Sequence, residues 1–306
     1  MKIQAVLNMS EISKIAVIGA GFMGHGIAQV CAMFGYQVTI RDINDEMVNK
    51  AMKSMADNLQ RHFVGRGKLT DEQGKETLER LKGTTDLAGA VRDVDLIIEA
   101  VPENMDLKKK VFKEIDEAAS KHAIIASNTS SLSISEMASA TKRPDKFIGT
   151  HFFSPPQAMR LVEIVKGLAT SKETLDATKK FIEKINRVAT VVNDYPGFVT
   201  SRLGTPMWNE ATYCLMQGLS NVKDIDTAAK LGNNWPMGPF EIMDFVGVDV
   251  ALFVMEILHK EMGEKYRPCP LLKKMVRAGY LGQKTGKGFY DWSKKPAVPI
   301  DLTGLY

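Results

Sequence analysis

Apolar residues fall in short blocks over the first two thirds of the chain, and the spacing inside each block changes from block to block. Residues 15–18 are a continuous apolar run. After the turn G-A-G-F-M-G, Ile27, Val30, Cys31 and Phe34 recur at helical spacing, and a second apolar run leads to Arg41 and Asp42. A continuous run, then a 3.6-residue period, then another run reads as strand, helix, strand. Residues 45–65 read as a long helix, and Thr70 followed by Gln73 is a capping-box start for another. D-L-I-I-E-A over 95–100 predicts a buried strand that ends at V-P-E-N-M-D, with a lysine-rich helix from Leu107. A-I-I-A-S-N-T-S-S is a strand running into a polar loop, and K-F-I-G-T-H-F-F-S-P-P is a strand closed by a histidine and a proline stop. Residues 161–165 and 188–192 read as two further strands flanking a helix over 172–185. Beyond Asp194 the texture changes: Pro196 and Gly197 break the chain, and the pattern up to Tyr280 is helical, with N-N-W-P-M-G-P between helices.

Alternating strands and helices call for a mostly parallel sheet covered on both faces. The turn after the first strand specifies more. Gly19 permits the sharp exit from the strand, Gly21 lets the backbone approach a pyrophosphate, and Gly24 lets the helix pack closely on the sheet. With Phe22 and Met23 they form the opening of a helix whose unsatisfied N–H groups favour an anion. Asp42 stands at the end of the second strand, where a carboxylate accepts hydrogen bonds from a ribose 2′-hydroxyl and repels a 2′-phosphate. NAD is therefore expected rather than NADP. Arg41 precedes it and should point to the other face, since side chains alternate along a strand. The expected fold is α/β, a Rossmann-type mostly parallel sheet over residues 1–193 followed by a smaller all-α domain over 194–306.

Composition narrows the classes without changing that picture. Of 306 residues 44% are hydrophobic, ample for a core, and 40 Lys and Arg against 36 Asp and Glu give a net charge of +4. That excess is too small to imply a nucleic-acid partner. Cys31, Cys214 and Cys269 have no metal-ligand spacing and read as reduced thiols, so no metal is expected. No apolar run approaches a membrane span, and the N-terminal M-K-I-Q-A-V-L-N-M-S-E has too short an apolar core for a secretory leader. Cytoplasm is the expected compartment.

Ligands of an open α/β sheet bind outside the carboxyl ends of its strands. Three polar loops qualify, 102–108, 127–131 and 151–156. His151 stands out among the five histidines because it closes a strand at that edge, with Glu163 following on the next strand segment. A histidine held at one nitrogen by a carboxylate is oriented to take a hydroxyl proton during a hydride transfer. His25, His62, His122 and His259 sit in a turn, in helices or before a strand, and read as surface or capping residues.

The segments S-N-T-S-S-L-S-I, H-F-F-S-P, M-R-L-V-E-I-V-K, P-M-G-P-F-E-I-M-D-F-V-G-V-D and K-T-G-K-G-F-Y-D-W, in that order behind G-A-G-F-M-G, resemble the L-3-hydroxyacyl-CoA dehydrogenases, with the nearest likeness to the short bacterial 3-hydroxybutyryl-CoA enzymes. The resemblance runs from Lys14 to Trp292. It implies NAD-dependent interconversion of an L-3-hydroxyacyl-CoA and its 3-ketoacyl-CoA, with an acyl-CoA thioester as substrate and a homodimer formed through the second domain. It implies that His151 is the general base or acid on the 3-hydroxyl and Glu163 its orienting partner. Ser130 would hydrogen-bond the substrate oxygen or the nicotinamide side, with Asn128 shaping the same loop. Glu103 and Lys108 match positions on the nicotinamide ribose side, and Lys284 matches a lysine that reaches the cofactor from the second domain. Two positions depart from the pattern. Ser154 follows His-Phe-Phe, where many members have Asn, at the cofactor side. Ser201 stands in P-G-F-V-T-S-R where the family has a catalytic-site Asn. A serine hydroxyl is shorter than a carboxamide and has one donor rather than two, so the reaction type follows more firmly than the acyl group.

Two alternatives stay open on the sequence. One is a dehydrogenase of the same fold acting on another 3-hydroxy thioester or a free hydroxy acid, which Ser201 permits. The other is an NAD-binding structural protein with weak catalysis, against which the Ser130, His151 and Glu163 set argues.

Overall fold

Lys14–Ile18 (β1) is a strand because four consecutive apolar side chains, Ile15 to Ile18, are all buried, as a central parallel strand requires. The computed structural model describes residues 12–302, so the N-terminal stretch considered above as a leader lies outside the described residues. The chain forms two compact units, one ending at Asp194 and one beginning at Tyr195.

In the first unit β1 leads into Phe22–Met33 (α1), Gln37–Arg41 (β2) and Asp45–Leu59 (α2). The long helix expected over 45–65 is α-helical only to Leu59, and Gln60–Val64 is wound as a π-helix. Asp71–Glu79 (α3) follows, with the expected capping box between Thr70 and Gln73. Leu81–Thr84 (β3), Leu87–Val91 (α4), Leu96–Glu99 (β4), Met105–Ala118 (α5), Ile124–Ser127 (β5), Ile134–Ala138 (α6), Phe147–Phe152 (β6), Leu161–Lys166 (β7), Lys172–Lys184 (α7) and Val188–Asn193 (β8) complete the unit. The eight strands make one sheet in the order β3-β2-β1-β4-β5-β6-β7-β8. All neighbours run parallel except β6 and β7, which are antiparallel. The chain reverses strand order between β1 and β4, which is where open α/β sheets bind ligands.

The glycines of the turn are held by contact as well as by conformation. Gly19 has φ +105°, and a Cβ there would lie 2.6 Å from the Ala100 carbonyl oxygen; a Cβ on Gly24 would lie 1.8 Å from the Gly19 oxygen. At Gly21 a Cβ would meet nothing within 4 Å. The turn is therefore closed against the protein at Gly19 and Gly24 and open at Gly21.

In the second unit Thr200–Met216 (α8), Val222–Gly232 (α9), Pro239–Val246 (α10), Val248–Met262 (α11) and Pro270–Arg277 (α12) surround a core that includes Phe240, Met243, Leu272 and Phe289. The unit is not wholly helical, since Tyr290–Asp291 (β9) and Val298–Pro299 (β10) pair as a short antiparallel ribbon. Two buried aspartates fasten the segment around β9. Asp244 accepts from the amides of Phe289 and Tyr290 and from the indole of Trp292, all within 2.8–2.9 Å. Asp226 accepts from the amides of Phe240 and Glu241 and from the Tyr290 hydroxyl. Each carboxylate thus replaces lost hydration with three donors, the condition for burying it. Burial nevertheless raises the Asp226 carboxyl to about 6 and pushes Asp244 upward too, against the pull of those donors.

Candidate active site

The carboxyl ends of β1, β4, β5 and β6 lie on one edge of the sheet, because these strands are parallel. His151 is the penultimate residue of β6 and Glu163 the third of β7. Antiparallel pairing sets them directly opposite, His151 against Glu163. Their side chains meet at 2.9 Å, Nδ1 to Oε2, with both nearly excluded from solvent. With the carboxylate ionised the proton of this bond sits on Nδ1, so Nε2 is the nitrogen that accepts or returns a proton. Phe153 packs on the imidazole, ring centroids 4.4 Å apart.

The loop after β5 is tied to this strand and to β4. Asn128 accepts the amide of Phe152 at 2.9 Å, which joins the loop to the residue beside His151. Glu103 Oε1 accepts the Ser130 amide at 2.7 Å and the Thr129 hydroxyl at 2.9 Å. The helix α6 that follows is capped by Ser133. Ser154 is half-buried and precedes a cis bond to Pro155.

Lys108 is turned into the protein. Its side chain is 1% exposed. Its ammonium donates to Glu99 at 2.6 Å and to the Val101 carbonyl at 3.1 Å, and it stands 3.3 Å from Glu103. Its ammonium is thus held between two carboxylates below the surface. Glu99, which the sequence reading passed over, closes β4 with no exposed surface and also accepts the Ser127 hydroxyl and the Val101 amide. Burial pushes its carboxyl above the ordinary range, while Lys108 and the neighbouring donors pull it back. The signal was a lone carboxylate ending the apolar run D-L-I-I-E.

The opening of α1 fits a diphosphate. Its N-cap, Gly21, supplies no side-chain bond, and its first turn holds no acid. The six later helices of the unit, α2 to α7, are all capped by a side chain, from Asn44, Thr70, Asp86, Asn104, Ser133 and Ser171. The N–H groups at Phe22 and Met23 are thus left for a partner outside the chain, over the open face of Gly21, and the dipole there is uncompensated. Asp42 receives the Ala20 amide at 2.6 Å through one oxygen and the Ile43 amide at 2.7 Å through the other. This places its carboxylate beside the glycine turn, where a ribose edge follows a diphosphate. Arg41 turns away and donates to the Thr85 carbonyl. His25, read as a capping residue, bonds the Gly21 carbonyl oxygen through Nδ1 at 2.8 Å.

The remaining two candidates belong to the second unit. Ser201 lies half-buried in the first turn of α8. Lys284 lies in an exposed turn and pairs with Asp249 at 2.5 Å. Among the described residues no group of histidine, cysteine or acidic side chains could hold a metal, and no helix is long and apolar enough to cross a membrane.

Known proteins resemble this chain across both units. The model of the 3-hydroxyacyl-CoA dehydrogenase NAD-binding domain matches residues 14–195, and that of the 3-hydroxyacyl-CoA dehydrogenase C-terminal domain matches 197–292. A probable 3-hydroxybutyryl-CoA dehydrogenase of Bacillus subtilis is 46% identical over 93% of this chain and 99% of its own. The crystal structure of (S)-3-hydroxybutyryl-CoA dehydrogenase from Ralstonia eutropha superposes with a TM-score of 0.88 at 44% identity, covering 93% of this chain and all of that one. A diketoreductase described as acting on dicarbonyl compounds superposes with a TM-score of 0.80 at 30% identity, over 92% and 99% of the two chains.

Proposed function

The chain belongs to the 3-hydroxyacyl-CoA dehydrogenase family and is an NAD-dependent oxidoreductase, and from that premise we propose that its substrate is a short-chain L-3-hydroxyacyl-CoA, 3-hydroxybutyryl-CoA in the oxidative direction and acetoacetyl-CoA in the reductive one. The observation that carries the reading is the His151 and Glu163 pair, set opposite each other in register at the edge of the sheet that also bears the glycine turn. The names of the relatives supply the chain length.

Gly19, Gly21 and Gly24 with the amides of Phe22 and Met23 hold the diphosphate, and Asp42 takes the adenosine ribose hydroxyls. Bound NAD supplies the acceptor for the substrate's C3 hydride. His151 removes the 3-hydroxyl proton at Nε2 as the carbonyl forms, and Glu163 balances the imidazolium that results. Such a group contributes about a hundredfold to ten-thousandfold in rate. Ser130 and Asn128 orient the substrate oxygen and the nicotinamide side, Glu103 supports their loop, and Ser154 borders the cofactor. For Ser201 the proposed role is that of a hydrogen-bond donor, and for Lys284 that of a cofactor cation. A homodimer is proposed on the family resemblance, and the second unit exposes Leu203, Leu219 and Leu231, each more than 60% accessible. Cytoplasm is the proposed compartment.

A second reading is favoured by Ser201 and by the diketoreductase likeness. A shorter donor leaves room for a 3-oxo substrate that is not a CoA thioester. The experiment follows NADH and NADPH oxidation with acetoacetyl-CoA, longer 3-ketoacyl-CoA thioesters and free 3-keto acids. The first reading expects the highest kcat/KM with acetoacetyl-CoA and NADH. A clear preference for free 3-keto acids would replace it with the second.

A further inference from the structure

The edge beside the glycine turn carries a buried ionic cluster that proton transfer at His151 does not require. Glu99 is wholly buried and Lys108 is 1% exposed. Taking charges out of water is unfavourable unless their geometry is excellent and every remaining donor and acceptor is satisfied. Apolar side chains of similar volume would often fill such a space at least as stably. Here the geometry is specific. Glu99 joins Lys108 at 2.6 Å, the Val101 amide at 2.7 Å and the Ser127 hydroxyl at 2.7 Å. Its backbone carbonyl accepts the Asn128 amide at 2.8 Å. Lys108 in turn stands 3.3 Å from Glu103, whose other oxygen receives the Ser130 amide and the Thr129 hydroxyl.

Two routes therefore run from Glu99 to the loop 127–131. One passes directly through Ser127 and Asn128. The other crosses from β4 to α5 and back through Lys108 and Glu103 to Ser130. Asn128 extends the connection to the Phe152 amide, next to His151. The loop is held at Ser127 by a buried charge-assisted bond to Glu99 and at Ser130 by a part-buried one to Glu103, whose other oxygen lies in ion contact with Lys108, and has little room to shift.

We propose that Glu99 and Lys108 are positioning residues for the dehydrogenase reaction: Glu99 fixes Lys108, Lys108 fixes Glu103, and Glu103 fixes the backbone of Ser130. The proposal rests on the functional reading above. Displacing a substrate-orienting loop by about 1 Å costs on the order of a hundredfold in rate.

The test is the double variant Glu99→Gln/Lys108→Met, which removes both buried charges together and avoids a lone buried ammonium. Amide hydrogen exchange of the unliganded full-length protein is compared over 127–131 and over β1, together with kcat, KM and the pH profile for acetoacetyl-CoA reduction. The expected result is exchange at least about tenfold faster at 127–131 with β1 unchanged. It is accompanied by a kcat lowered about tenfold to a hundredfold, a KM for acetoacetyl-CoA within a factor of about three, and an unmoved pH profile. Wild-type exchange and wild-type kcat would overturn the proposal. Should the double variant not fold, Glu103→Gln leaves the Glu99 and Lys108 pair intact and is held to the same exchange criterion. If the unaltered protein did not reduce acetoacetyl-CoA, the substrate reading would fail by itself, and the exchange comparison alone would decide whether the cluster holds the loop.

Discussion

The chemistry of single side chains here is set by what lies opposite them. His151 is useful because the residue across the strand pair is Glu163, at 2.9 Å and nearly dry. Glu163→Gln keeps the volume and a possible acceptor but removes the charge that balances an imidazolium. Its kcat is expected to fall about tenfold to a thousandfold, with NADH affinity unchanged by fluorescence titration; an undiminished kcat would deny Glu163 that role. Both residues were legible in the sequence because each interrupts an apolar strand at the ligand edge. Glu99 interrupts one in the same way, but its pairing is not visible in the sequence, since its partner Lys108 reaches it from a different element, α5. That lysine was read from its neighbours, a run of three lysines, of which it alone is turned inward. The uncapped start of α1 was half visible: the glycines marked it, but the contrast with the six side-chain-capped helices of its own unit emerges only from the structure.

Elements were legible where one period dominates over several residues. The strands 15–18, 95–100 and 161–165 and the capping box at Thr70 follow from pattern and propensity, and the structure shows them within a residue or two. β3 was missed because L-K-G-T buries only Leu81 fully, leaving no apolar run to detect. The antiparallel turn between β6 and β7 carries no helix, so only its short connection, residues 153–160, signalled the reversal. The ribbon of β9 and β10 depends on Asp226 and Asp244, whose partners lie 14 to 64 residues away. Asp226 gives this element a pH dependence. Its folded value of about 6 exceeds the ordinary 3.8, so the folded state keeps its proton where the unfolded state has lost it. The stability it contributes is fully present below about pH 3.8 and is lost as pH rises through about 6. Thermal unfolding of the parent and of Asp226→Asn, which does not titrate, should show the parent's relative stability falling between about pH 4 and pH 6.5. A difference that stays flat or widens over that interval would contradict this account.

For the molecule as a whole, the change from alternating to helical texture near Asp194 corresponds to two units, and both carry family-model matches. The exposed leucines of the second unit give a prediction at this scale: sedimentation equilibrium should return about twice the 33.9 kDa chain mass, and substitution of Leu219 and Leu231 by Lys should lower it toward the monomer. Acyl preference was not legible, because Ser201, a hydroxyl where a carboxamide is expected, changes one donor and carries no measure of acyl length. The reaction itself is tested most directly by His151→Ala, with acetoacetyl-CoA reduction followed through NADH absorbance and NADH binding followed by fluorescence. The account predicts turnover reduced by at least about a hundredfold with NADH binding within a factor of about three of the parent. Turnover that survives the substitution would show that His151 is not the group that moves the proton.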